Sequence, residues 1–229
     1  MTAGPTVVLD FDGTLALGRG PLQAYIAALD DRSSNSDSGG DIVRACLAAI
    51  ESFDAGATDH RDAYDAVRTT ALARGITETD LSRAYLASRD LLGTEDAPVV
   101  APRGLSAFLA ELSTSATCVL ATNAPEAGVE RALISLGIEH SLHERHHDVG
   151  KPVGLEPIIA HHLDRGPVLA VGDIWEFDLA PAARLGADTA LVGVREVPEA
   201  RPTLRGETLT DLYEPIRDWA RAHRVAASA

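Results

Sequence analysis

Val7-Val8-Leu9-Asp10-Phe11-Asp12-Gly13-Thr14-Leu15 is an apolar run that ends in two acids and a Gly-Thr turn. Near-continuous apolar character over Thr6–Leu9 is what a strand covered on both faces requires. If the strand continued, its period of two would point the carboxylates of Asp10 and Asp12 to one side. Three similar runs recur downstream, at Thr117–Ala121, 168–171 and 189–192. Between them, Leu105, Phe108, Leu109 and Leu112, and then Val129, Ala132, Leu133 and Leu136, follow the helical i, i+3, i+4, i+7 spacing, with Gly137 placed as a C-terminal cap. Residues 181–185 end in the same way at Gly186. Strands alternating with such helices predict an α/β fold, a doubly wound parallel sheet with right-handed crossovers. Ligands of these sheets lie at the carboxyl ends of the strands.

The first strand is followed not by the next β/α unit but by residues that read as helices, at 21–29, 41–52, 60–74 and 78–92. This predicts a small all-helical cap spanning 16–99, inserted into a core of 1–15 and 100–229. Residues 33–40 (SSNSDSGG) are too polar and small to pack, and are expected to form a loop within the insert.

Composition narrows the partners. The 34 acids against 20 Lys plus Arg give a net charge of −14 over 229 residues. Such a surface repels nucleic acid and anionic membranes, and no apolar run approaches the ~20 residues of a membrane span. The first residues lack the basic start and apolar core of a secretory leader. Cys46 and Cys118 form no C-x-x-C pair, which predicts a reduced, cytoplasmic protein without disulfide or zinc framework. A monomer, or at most a weak homodimer, is expected. Of the 20 basic residues only Lys151 is a lysine.

Candidate functional residues follow the other strands. Thr122-Asn123 offers a hydroxyl and a helix N-terminus suited to an anion, although Thr-Asn is also an ordinary helix cap. Gly150-Lys151-Pro152 places the lone lysine just before a helix. Gly172-Asp173-Ile174-Trp175-Glu176-Phe177-Asp178 adds two acids. His143, His146, His147 and the adjacent pair His161-His162 read as surface residues, because neighbours on a helix point ~100° apart and no H-E-x-x-H spacing occurs.

In this order, D-x-D-G-T, a strand-terminal Thr, a Lys before a helix and G-D-x-x-x-x-D resemble the haloacid dehalogenase-like superfamily of phosphohydrolases. The likeness covers roughly residues 5–15 and 100–220. The helical insert is similar to one branch of the family in size and position only. Differences occur at Ala16-Leu17-Gly18-Arg19, at Val153-Gly154 and in the unusually polar 142–147 segment. The resemblance implies a Rossmann-like core and a Mg²⁺-dependent phosphatase that acts on a small phosphorylated metabolite. By the same likeness Asp10 is the nucleophile and Asp12 the general acid and base. Thr122, Asn123 and Gly13 are implied to hold phosphoryl oxygens, and Lys151 to offset charge there. Asp10, Asp12, Asp173 and Asp178 are the implied metal residues, an all-oxygen set that suits Mg²⁺. A phosphomutase or phosphotransferase using the same aspartyl-phosphate, and a non-catalytic phosphometabolite-binding module, are the alternatives. Haloalkanoate dehalogenation is disfavoured because that branch lacks the second carboxylate. Arginines of the insert, from Arg19 to Arg89, are expected mostly on solvated helix faces.

Overall fold

A computed structural model describes residues 4–30, 39–56 and 60–226; the expected loop at 33–40 falls almost wholly outside them. Two units are distinguished. One gathers the described residues up to Leu17, Val100–Glu126 and those from Leu133 onward; the other gathers Gly18–Val99 with Ala127–Ala132.

The first unit is built on a six-stranded parallel sheet. Its strands are β1 (Thr6–Leu9), β2 (Thr117–Ala121), β3 (Glu144–His146), β4 (Val168–Gly172), β5 (Asp188–Val192) and β6 (Leu204–Gly206). They lie in the order β3-β2-β1-β4-β5-β6, so the crossovers reverse direction between β2 and β4, on either side of β1. That is the switch point at which a crevice opens beyond the strand ends. In register, Leu9 lies opposite Leu120 of β2 and Val171 of β4.

Burial on both faces explains the unbroken apolar strands. Val8, Val119, Ala121, Val168, Ala170 and Leu191 face one way, and pack with Leu155 and Ile159 of the helix Leu155–Leu163 and with Leu179 and Ala182. The alternating set Val7, Leu9, Cys118, Leu120, Leu169 and Val171 is equally buried. The C-terminal helix Leu209–Ala226 packs on β5 and β6 and against the helix Leu105–Leu112, where Phe108 stacks on Tyr213 with ring centroids 4.0 Å apart. The helix Glu126–Leu136 ends on Gly137 with φ 67, the left-handed cap its sequence predicts. Both cysteines are free and buried.

Two strands depart from expectation. The polar segment around Glu144-Arg145-His146 forms β3, and the three residues Leu204–Gly206 form β6. Both lie at the sheet edges, where short polar strands limit pairing with other chains and carry little apolar signal.

The second unit contains the helices Gly20–Asp30, Gly39–Asp54, Ala63–Ala73 and Glu78–Asp90. Leu22, Ile26, Leu29, Ile42, Cys46, Ile50, Val67 and Leu81 fill its centre. Asp62 caps the third helix by accepting from Asp65 N at 2.7 Å, which moves its start inside the expected 60–74. Thr77 caps the fourth by accepting from Asp80 N at 3.1 Å. Arg131 donates to the carbonyl of Asp90 (2.7 Å), the last residue of that helix, and to that of Leu92 (3.1 Å) just beyond it. Arg19 pairs with Asp54, Arg44 with Asp41, Arg61 with Asp65 and Arg68 with Glu78, all with exposed arginines. Arg89 is the exception, fully buried with its guanidinium 5.0 Å and 4.8 Å from the Tyr64 and Tyr85 ring centroids.

Candidate active site

The β1 ladder runs one residue past the strand, because Asp10 N donates to Val171 O at 2.9 Å. Asp10 is thereby fixed at the carboxyl end of β1, between β2 and β4. The chain then turns back on itself: Leu15 N and Ala16 N both donate to Phe11 O at 2.9 Å, and Gly13 N donates to Ala16 O at 3.0 Å. Asp12 sits half-buried on this turn, and its charge is close enough to oppose ionisation of Asp10.

Lys151 is the centre of the site. Its ammonium donates to Asp10 Oδ1 at 2.6 Å and to Asp178 Oδ1 at 2.8 Å, with only 3% of its side chain exposed. Its backbone N–H donates to Asn123 Oδ1 at 2.8 Å, so the Asn123 carboxamide clasps the lysine loop to the end of β2. That positioning role is absent from the sequence reading, which gave Asn123 only a phosphate contact.

Asp178 reaches the lysine through a wide π-type turn at Trp175–Leu179. Its Oδ2 accepts from Ile174 N at 3.0 Å, which fixes the carboxylate on both oxygens. Gly172 makes this approach possible, since a Cβ there would lie 2.4 Å from Asp178 Cβ. Gly13, with φ +82, likewise lets the turn close on Asp173: a Cβ there would lie 2.3 Å from Asp173 Oδ2. The D-G-T and G-D motifs therefore meet through glycines. Gly172→Ala is expected to lower unfolding free energy by ~1–3 kcal/mol, as overpacking does. Urea denaturation checks it.

Thr122 is buried one residue beyond β2, held by donation of its N–H to His146 O at 2.9 Å. Its Oγ1 accepts from Ala124 N at 3.0 Å, which leaves the hydroxyl hydrogen to donate. Thr14 is also buried and its Oγ1 makes no hydrogen bond.

Charge is unbalanced in this site. Burial first, then Asp178, pushes the Asp10 carboxyl up to about 7, against the pull of Lys151. The two carboxylates in turn raise the Lys151 ammonium above its ordinary range. One cation facing Asp10, Asp12 and Asp178 is a deficit of positive charge. Carboxylate oxygens of Asp10, Asp173 and Asp178 lie within 4.8 Å of one another, a grouping able to hold a metal ion. The donors are all hard oxygens, which fits Mg²⁺ and not a thiolate- or imidazole-preferring ion.

No protein-family model matches the sequence, and no curated protein matches it. Solved structures do. The HAD-hydrolase YfnB from Bacillus subtilis, bound to magnesium, superposes with a TM-score of 0.61 at 17% identity, over 93% of this chain and 98% of that one. The fold is that of the haloacid dehalogenase-like hydrolases. A HAD phosphatase from Thermococcus onnurineus gives 0.58 at 16% identity, over 93% and 97%. L-2-haloacid dehalogenase from Xanthobacter autotrophicus, with chloropropionic acid covalently bound, gives 0.56 at 17%, over 93% and 98%. Phosphatase and dehalogenase thus share this HAD fold, and the side chains at the strand ends must separate the two chemistries.

Proposed function

We propose that this protein is a HAD-like, Mg²⁺-dependent phosphohydrolase that cleaves a small phosphomonoester through an aspartyl-phosphate. The observation that carries the reading is the buried Asp10–Lys151–Asp178 arrangement, with a second carboxylate, Asp12, two residues beyond the nucleophile. Lys151 fixes the Asp10 rotamer. The Asp10 carboxylate attacks phosphorus as the bond to the leaving oxygen breaks, and Asp12 gives that oxygen its proton. Water then attacks the aspartyl-phosphate, passes a proton to Asp12, and the phosphorus–Asp10 bond breaks to release phosphate. Thr122 donates to a phosphoryl oxygen, with backbone N–H groups of the Gly13 and Asn123 turns beside it, and Lys151 offsets the charge. Asp10, Asp173 and Asp178, with Asp12 beside them, would hold Mg²⁺, which supplies positive charge to the transferring phosphoryl group.

Asp12 also separates this reading from dehalogenation, which the Xanthobacter neighbour makes the second candidate. A halide leaves as a stable anion and needs no proton, whereas an alkoxide leaving from phosphorus does. Protonation of the leaving group by a second carboxylate beside the nucleophile is needed only in the phosphoester reaction.

A net charge of −14 favours a small phosphorylated metabolite over nucleic acid or membrane, and buried free thiols fit a reducing cytoplasm. Among the described residues no helix is long and apolar enough to cross a membrane. The test is a panel of phosphomonoesters and haloacids with Mg²⁺, scored for inorganic phosphate and for halide. Phosphate release alone is the expected outcome; halide release alone would overturn it, and transfer to a sugar without phosphate release would indicate a mutase.

Metal removal gives a further expected result. EDTA should abolish phosphate release and added Mg²⁺ restore it. Asp173→Ala should lower the maximal rate and raise the Mg²⁺ concentration needed for half-activation.

A further inference from the structure

A second cluster of metal-ligand type lies at the β3 edge of the sheet and shares no residue with the acidic site. Glu144 and His146 are two residues apart on β3, so both project from one face of the strand. His162, on the helix Leu155–Leu163, meets them there. Its side chain is 3% exposed, which corrects the expectation of a surface position for His162; His143 and His161 are exposed as expected. His162 Nε2 lies 3.4 Å and His146 Nε2 3.6 Å from Glu144 Oε2, and each of the three residues brings a ligand atom within 4.8 Å of the other two. The sequence conceals the group because its members come from a strand and a helix sixteen or more residues apart, not from one helix.

Two properties distinguish this cluster from an incidental meeting of polar side chains. Both Nε2 atoms are buried and make no hydrogen bond, which in a low-dielectric setting is costly unless another ligand takes the lone pair. The two distances are also close to an edge of the tetrahedron that metal bonds of ~2.0–2.2 Å define, about 3.3–3.6 Å. They are long for hydrogen bonds between imidazole and carboxylate.

We propose that Glu144, His146 and His162 form a binding site for a divalent transition-metal ion of the imidazole-preferring class, with Zn²⁺ its occupant. Two nitrogens and one carboxylate oxygen suit Zn²⁺ and are a poor match to Mg²⁺, which prefers oxygen alone. The Glu144 and His146 side chains are partly exposed, and water would complete the coordination. The ion would pin β3 to the helix behind it. Because the His146 carbonyl receives the Thr122 N–H, the pinned strand end also borders the phosphate-binding residue.

Calorimetric titration of the full chain with Zn²⁺, in saturating Mg²⁺ to fill the all-oxygen site, tests this directly. One equivalent should bind with micromolar or tighter affinity and raise the melting temperature by roughly 5 °C or more at 100 times Kd. Co²⁺ should give the visible absorption of a tetrahedral ion. Glu144→Gln and His146→Ala alter partly exposed side chains, so both should fold, as circular dichroism would verify. Each should weaken Zn²⁺ at least ~10-fold and abolish the Co²⁺ band. Failure of the parent chain to bind one equivalent, or equal binding by the parent and both variants, would overturn the assignment.

Discussion

Asp10→Asn is expected to reduce phosphate release on the order of 10⁴-fold or more, to the background of the assay. An amide is not nucleophilic enough to displace the leaving oxygen, and Mg²⁺ or higher substrate concentration cannot restore the missing step. The amide still occupies the same volume and can accept from Lys151, so circular dichroism should report an intact fold. Asp12→Asn should cost ~10²–10⁴-fold, the usual worth of a positioned acid and base. The cost should shrink for esters whose leaving group is already acidic, such as an aryl phosphate. An equal loss for alkyl and aryl esters would deny Asp12 the role of acid.

Lys151→Ala carries the second large effect. The variant leaves the Asp10 and Asp178 carboxylates facing each other with no cation, in a site where Asp178 is only 6% exposed. Breaking a buried pair in this way costs about 3–5 kcal/mol. Urea denaturation in metal-free buffer should show a loss of that order, and phosphate release should fall to background. Lys151→Arg should not rescue either quantity, because a planar guanidinium is too broad for a compact ammonium between two carboxylates. As the single lysine, Lys151 looks from sequence like the one side-chain target of an amine-directed reagent. Its burial and raised pKa make it a poor one until the chain unfolds. A variant that retained activity and unfolded like the parent would place Lys151 outside the machinery.

The central strands were legible because both of their faces are buried, which leaves no room for polar residues. β1, β2, β4 and β5 all read as apolar runs for this reason. The edge strands were not, because β3 carries Glu144, Arg145 and His146 and β6 has three residues. The C-terminal helix was also hidden, with Pro215 in its interior arguing against it. Tertiary contacts override that: Trp219 Nε1 donates to Asp188 at 2.8 Å, and Tyr213 stacks on Phe108.

The acids and the lysine of the candidate site were visible as short motifs at strand ends. Their mutual arrangement was not. That Lys151 bridges Asp10 and Asp178 depends on the π-type turn after Ile174, which has no sequence signature of its own, and on the close approach at Gly172, which the G-D motif does not by itself reveal. The Asn123 clasp depends on two loops 28 residues apart. His162 was misplaced for a related reason, since its partners come from a strand too polar to recognise.

The most direct test of aspartyl-phosphate chemistry is mass spectrometry of the chain, quenched in acid within milliseconds of mixing with Mg²⁺ and a hydrolysed phosphomonoester. The expected result is one added phosphoryl group on the peptide that contains Asp10, absent from Asp10→Asn and discharged by hydroxylamine. Rapid phosphate release with no label on Asp10, or with the label on another residue, would contradict it.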